Sequence, residues 1–175
     1  AQKAIDFIKS AAYKESKVYH SWADGPRIEG FLDDYAYFTA ALLDYYDATL
    51  DYAYLELAIE ITENAITYFH DNSQGGFFFD GSKADKPLLD HSAPSPNSVM
   101  IQSLLRLYHY TEEKGYVEKA EKTLKLLLGS AINYPLNAAS FFFALSNFLD
   151  EPAKLVIAGE LGEAEAKAFL DKINS

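Results

Sequence analysis

The feature that most constrains this chain is that it repeats itself. The stretch LLDYYDATLDYAYLELA from Leu42 aligns without gaps with LLRLYHYTEEKGYVEKA from Leu104, an offset of 62 residues. Leu42/Leu104, Leu43/Leu105, Tyr46/Tyr108, Thr49/Thr111, Tyr54/Tyr116, Glu56/Glu118 and Ala58/Ala120 match, and Leu55/Val117 is conservative. Self-similarity at such a period marks stacked supersecondary units, each unable to bury its apolar face alone. Phe31, Tyr35, Phe38, Leu42 and Tyr45 fall at helical spacing, as do Leu55, Ile59, Thr62, Ile66 and Phe69. In the second unit Met100, Leu104, Leu107 and Tyr108 lead into Tyr116, Ala120, Leu124 and Leu127. The turns between the paired runs are short, so each pair predicts an antiparallel helical hairpin.

A partial third copy precedes these. AIDFI (Ala4 to Ile8) resembles AITYF (Ala65 to Phe69), and the extended KVYHS after it corresponds to GGFFFD. AASFFFALSNFL, near Ala138 to Leu149, begins another pair. The expectation is about seven helices, with two long connections over 14–30 and 71–96 that each deliver the chain from one hairpin to the next. Segments this long are functional or disordered, and Phe77, Phe78 and Phe79 argue that the second is ordered. The tail changes character. KLVIAG (Lys154 to Gly159) reads as a buried strand needing a partner, and GEAEAKAFLDKI as a helix. The fold class is therefore all-α, stacked antiparallel hairpins over 1–150, with a strand–helix extension over 151–175.

Composition excludes several functions. Fifteen Lys+Arg against 26 Asp+Glu give a net charge of −11, which repels phosphate backbones and anionic lipid. No apolar run reaches the roughly 20 residues of a spanning helix. The absence of cysteine removes disulfides, thiol nucleophiles and thiolate metal sites. AQKAIDFIKS has neither an initiator Met nor a signal-peptide pattern, so a segment of a longer, cytoplasmic protein is expected.

If the hairpins stack in register with their first helices inward, both long segments emerge on one rim, beside unpaired N–H groups of inner helix starts. That rim collects His20, Trp22, Asp24 and Arg27, then Asp33 and Asp34, with Asp90, His91, Ser95 and Asn97 from the second segment. Carboxylates, an Arg, an indole and amides around aromatic walls suit a sugar, whose ring faces stack and whose hydroxyls need polar partners. Blander readings stand beside this one. Asp33 and Asp34 occupy a first helical turn, where the helix dipole favours acids. Being adjacent, they project about 100° apart on an ideal helix, which makes them a poor pair in isolation. Ser95–Pro96–Asn97 reads as a cap followed by Pro at the first helical position. His20 and His91 lack metal-ligand spacing, and Gly75–Gly76 reads as a helix C-cap and turn rather than a phosphate cradle. Neither a metal nor a cofactor is expected.

Taken in order, GFLDDYAYFTAALLDYYDAT, YLELA, GGFFFD, D-x-x-x-PSPNSVMIQSLLRLYHYT and KLVIAG resemble the thioredoxin-domain-containing family that includes spermatogenesis-associated protein 20. The resemblance covers residues 18–159. It implies a six-hairpin, glycosidase-like (α/α) toroid, similar in shape to N-acylglucosamine 2-epimerases, of which this chain supplies about half. Pro96 and His91 stand where that family usually has Gly, and KPLL keeps only Lys86 of a Lys–Glu pair. The missing cysteines remove any redox inference. Two functions compete. In the first, the rim binds or processes a carbohydrate-like molecule, with Asp34 or Asp33 as acid/base, Asp90 as partner, and His20, Trp22, Arg27, His91, Ser95 and Asn97 holding substrate. In the second, the chain is a non-catalytic scaffold for a peptide or protein. A half-ring also predicts self-association or contact with its missing half.

Overall fold

The computed structural model describes residues 1–150 and Ala168. Helix α1 (Gln2–Phe7) runs through a π turn at Ile8–Ala12 into strands β1 (Tyr13–Lys14), β2 (Lys17–Trp22) and β3 (Pro26–Glu29). Two hairpins follow: α2 (Leu32–Thr49) with α3 (Tyr52–Phe69), and α4 (Pro96–Thr111) with α5 (Lys114–Asn133). A 3-10 turn at Pro135–Asn137 leads into α6 (Ala139–Leu149). The strand and helix expected over 151–175 lie outside the described residues.

The repeat is physical down to single hydrogen bonds. Each first helix ends on a left-handed residue, Leu50 (φ 54) or Glu112 (φ 60). Each second helix is capped by the acid one position later. Asp51 accepts the Ala53 N–H at 3.1 Å and Glu113 the Gly115 N–H at 3.2 Å. Thr49 and Thr111 close the two last turns identically, bonding back to Tyr45 O and Leu107 O at 2.7 Å each.

Helices α2, α4 and α6 form the inner row, α2 packing on α4 and α4 on α6, while α3 and α5 lie behind them. One core runs through all of them, with Leu42, Leu43, Ile61, Met100, Leu104, Leu107, Ala120 and Phe141 among its buried members. In α3 the buried face is carried by Leu55, Ala58, Ile61, Thr62, Ala65 and Phe69. Ile59 and Ile66 of the expected stripe are only half-buried, because small alanines let the helices approach on a neighbouring line.

The segment expected as a long connection over 14–30 is instead a three-stranded antiparallel sheet, order β1-β2-β3. Left-handed Glu15 and Ser16 (φ 50 and 63) turn the chain between the first two strands. Asp24–Gly25 (φ 55 and 140) turn it between the next two. An Asp-Gly pair following the Val- and aromatic-containing run KVYHSW is a hairpin-turn signal. The other connection lacks strands apart from one bridge, His70 to Phe77. Gly75 and Gly76 (φ 83 and 76) form its tight turn, several residues beyond the helix end at His70, rather than a C-cap of α3. All three phenylalanines are ordered: Phe77 is fully buried, Phe78 lies under the Lys86 ammonium at 4.6 Å, and Phe79 stacks on Phe31 at 5.1 Å.

Candidate functional site

The two long segments meet where the inner helices begin. Phe31, the residue before α2, lies flat on Phe79, with the planes 9° apart. Leu32 N–H donates to Phe79 O at 2.9 Å, and the Tyr37 hydroxyl donates to Pro94 O at 2.6 Å. Strand β2 is tied to the same helix by Val18 N–H to the Tyr35 hydroxyl at 3.1 Å and Gly30 N–H to Val18 O at 2.8 Å. The β2–β3 register slips on either side of Ser21, and Val18, Tyr19, His20 and Trp22 all line the groove beside α2.

His20 Nδ1 lies 3.0 and 3.1 Å from the two carboxylate oxygens of Asp34, and its ring packs edge-on against Phe31 at 5.1 Å. Asp34, three residues into the helix start, also accepts the Phe31 N–H at 2.8 Å, which satisfies the cap residue's own amide. Asp33 accepts the Asp34 N–H at 3.0 Å. One donor atom from each of His20, Asp33 and Asp34 falls within 4.8 Å of the others. This corrects the expectation that adjacent acids must diverge. Helical side chains tilt toward the N-terminus, so in a first turn both carboxylates fold over the helix end. Burial, and then the like charge of Asp34, hold the Asp33 carboxyl above its usual range.

His20, Trp22 and Asp34 line a groove of about 830 Å³ between α1 and α2, together with Tyr37, Phe38 and Tyr45. A second, shallower groove of about 660 Å³ crosses α2, α4 and α6, and Tyr37, Ala41 and Asp44 belong to both. Its floor is fixed by Arg106, which bonds Asp44 and Asp47 at 2.7 Å each, with the Tyr110 hydroxyl donating to Asp47. Tyr37, Asp44 and Arg106 lay outside the sequence-derived set. A stripe was there to be read, since Asp34, Tyr37, Ala41, Asp44 and Ala48 recur at helical spacing beside the apolar one.

The remaining candidates are placed elsewhere. Asp90 reaches the start of α6, accepting the Ser140 N–H at 2.8 Å and its hydroxyl, and also accepts the Ser95 N–H at 2.8 Å. Burial raises its carboxyl, but the Ser140 and Ser95 donors outweigh that and hold it below the usual range. Asp90 is not beyond influence of the cluster: the Tyr37 hydroxyl, already raised by burial, feels both Asp33 and Asp90. Ser95 occupies the cap position of α4 with Pro96 behind it, but its hydroxyl accepts no helix N–H and instead donates to Pro87 O at 2.9 Å. Asn97 is fully buried. Its amide donates to Phe77 O at 2.8 Å and Pro87 O at 3.0 Å, and accepts Phe77 N–H at 2.8 Å. Arg27 donates to Ala23 O at 3.0 Å across the β2–β3 turn. Asp24 is in that turn, and His91 is exposed on the second segment.

No family model matches the chain. Curated proteins do. Spermatogenesis-associated protein 20 of Homo sapiens and of Mus musculus are each 31% identical to it over 157 residues, covering 86% of this chain and 20% of theirs. An uncharacterized protein of Caenorhabditis elegans is 31% identical over 105 residues, covering 56% of this chain and 14% of its own. The chain thus spans about a fifth of the length of the first two. Among solved structures, a GH76 α-mannanase of Bacteroides thetaiotaomicron matches with a TM-score of 0.67 at 19% identity, over 85% of this chain and 44% of that one. At that identity the likeness is one of fold, and the stacked hairpins are those of a six-hairpin glycosidase fold.

Proposed function

We propose that this chain, a homologue of the spermatogenesis-associated protein 20 family, supplies the sugar-facing wall of a cytoplasmic carbohydrate-binding or carbohydrate-processing toroid. The observation that carries this reading is the His20–Asp33–Asp34 cluster at the start of an inner helix, opening onto an aromatic-walled groove. Trp22, Tyr37 and Tyr45 offer ring faces to a pyranose, while the carboxylates and imidazole meet its hydroxyls. Asp33, its carboxyl raised by burial and by the neighbouring Asp34, is suited to donate a proton. The fold neighbour is named an α-mannanase, which agrees with the substrate class without fixing it. No helix among the described residues is long and apolar enough to cross a membrane. The flank of the larger groove formed by α1 is where a second copy or further hairpins of the ring would pack.

A thermal-shift panel of mono- and disaccharides on the protein tests this. A sugar at 100-fold over its Kd stabilises by about 2.7 kcal/mol, or roughly 5–10 °C for a domain of this size. Asp34→Asn should erase the shift. Silence from every sugar at saturating concentration, on the full-length relative as well, would reject the reading. The competing scaffold function draws on one observation: Asp34 and Asp90 both serve as helix caps. Under it Asp34→Ala costs about 1 kcal/mol of stability and leaves partner binding intact.

A further inference from the structure

We propose that His20 is the proton-accepting base of this site, through its Nε2, and that Asp34 is the positioning residue that gives the ring its tautomer. The inference rests on the reading of the groove as a site for a hydroxylated ligand, and assigns the proton transfer within it.

The geometry is that of an oriented imidazole. Nδ1 is engaged by both oxygens of Asp34 at 3.0 and 3.1 Å. A carboxylate can only accept, so the neutral ring must carry its proton on Nδ1, leaving the Nε2 lone pair bare. Asp34 is itself held in place, since its Oδ2 accepts the Phe31 N–H at 2.8 Å at the start of α2. The ring is held from a second side by the edge contact with Phe31 at 5.1 Å, and Phe31 by its stack on Phe79. The orientation is thus enforced by a helix start, a strand and a neighbouring loop. Such preorganisation is costly to build by accident and is what a base requires. Nε2 has no protein partner among the described residues, and the side chain is 44% exposed on the groove wall.

The chemistry is a single proton transfer. The Nε2 lone pair takes the proton of a sugar hydroxyl or water seated in the groove. The O–H pair stays on oxygen, the N–H bond forms, and the resulting imidazolium is balanced by the Asp34 carboxylate beside Nδ1. Asp33 lies within reach of the same ring, and its carboxyl interacts electrostatically with the imidazole. In the blander case His20 simply pins β2 to α2. That role needs the hydrogen bond but not a bare, reactive Nε2.

Long-range 1H–15N correlation on the 15N-histidine-labelled chain, at a pH where the ring is neutral, reads the tautomer directly. We expect His20 to be protonated on Nδ1 alone, and Asp34→Asn, which retains an acceptor but no charge, to shift it toward the mixture of a free imidazole. Acylation by diethyl pyrocarbonate, followed residue by residue by mass spectrometry, adds a functional readout. His20 should react at least several-fold faster than the exposed His91, and fall to the His91 rate in Asp34→Asn. A proton on Nε2 in the wild-type chain, or a His20 no more reactive than His91, overturns the proposal, and the tautomer measurement requires no variant that must fold. Neither result depends on a sugar. A silent sugar panel with an Nδ1–H tautomer would sink the carbohydrate reading alone, whereas sugar binding with an Nε2–H tautomer would sink the base alone.

Discussion

Removing the Asn97 carboxamide should uncouple the second long segment from the helix it feeds. Its three bonds, to Phe77 O, Pro87 O and Phe77 N–H, are each 2.8–3.0 Å long and lie in a fully buried side chain. At about 1 kcal/mol net apiece they contribute roughly 3 kcal/mol, and stranding the buried Phe77 N–H adds up to about 1 more beyond that overlap. Asn97→Ala should therefore cost about 3–4 kcal/mol, lowering Tm by roughly 6–16 °C with an unchanged urea m-value. A double-mutant cycle sharpens the test. Ser95 Oγ and Asn97 Nδ2 donate to the same carbonyl, Pro87 O, at 2.9 and 3.0 Å. Either deletion alone leaves that carbonyl a donor and the pair leaves none, so Ser95→Ala with Asn97→Ala should cost more than the sum of the singles, by about 0.5 kcal/mol or more. A loss below about 1 kcal/mol for Asn97→Ala, or strict additivity, would show that water replaces the amide and that the ordering of this segment has another source.

Asp90 makes a pH prediction. Its folded carboxyl lies below its unfolded value, so its contribution is present above about pH 4 and is lost as pH falls through the folded value. Asp90→Ala should lose about 1–2 kcal/mol at neutral pH, as helix caps do, and the gap to wild type should close in acid denaturation series. Asp33 carries the opposite sign. Its raised carboxyl favours the folded state at low pH and opposes it as pH rises. Asp33→Asn should accordingly raise Tm at pH 7, with the gain vanishing in acid; a lower Tm at pH 7 would contradict the crowding of the two carboxylates. Gly30→Ala would place a Cβ 2.7 Å from Val18 O and 3.3 Å from Asp34 Cβ. We expect a loss of about 1–3 kcal/mol from overpacking, together with loss of the His20 tautomer by NMR, because the strand must lift off the start of α2.

The hairpin architecture was legible because it is written locally and twice. Thr49, Leu50 and Asp51 recur as Thr111, Glu112 and Glu113, and each trio closes the same turn. Apolar spacing likewise identified Tyr116, Ala120, Leu124 and Leu127 as the buried face of α5. The β-sheet was less visible because its strands are short and its turn residues Glu15 and Ser16 are not typical of left-handed backbone. At the rim, sequence could gather His20, Asp34 and Trp22 into one region, since all follow from where β2 and α2 meet. It could not foresee that Asp90 would swing to Ser140, fifty positions away, or that Asn97 would turn inward on Phe77. Those choices are made by buried backbone groups seeking partners, and no local pattern announces them.

Three rings in series, Phe79 on Phe31 on His20, run from the second long segment to the imidazole. Phe79 is not among the residues lining the larger groove, yet it stacks on the ring against which the His20 imidazole packs. Selection acting on the distant segment could thus retune proton transfer by trading one aromatic for a smaller side chain, leaving every polar group of the cluster untouched. Homologues that differ at this remote joint would then differ in reactivity while presenting the same acids and the same histidine.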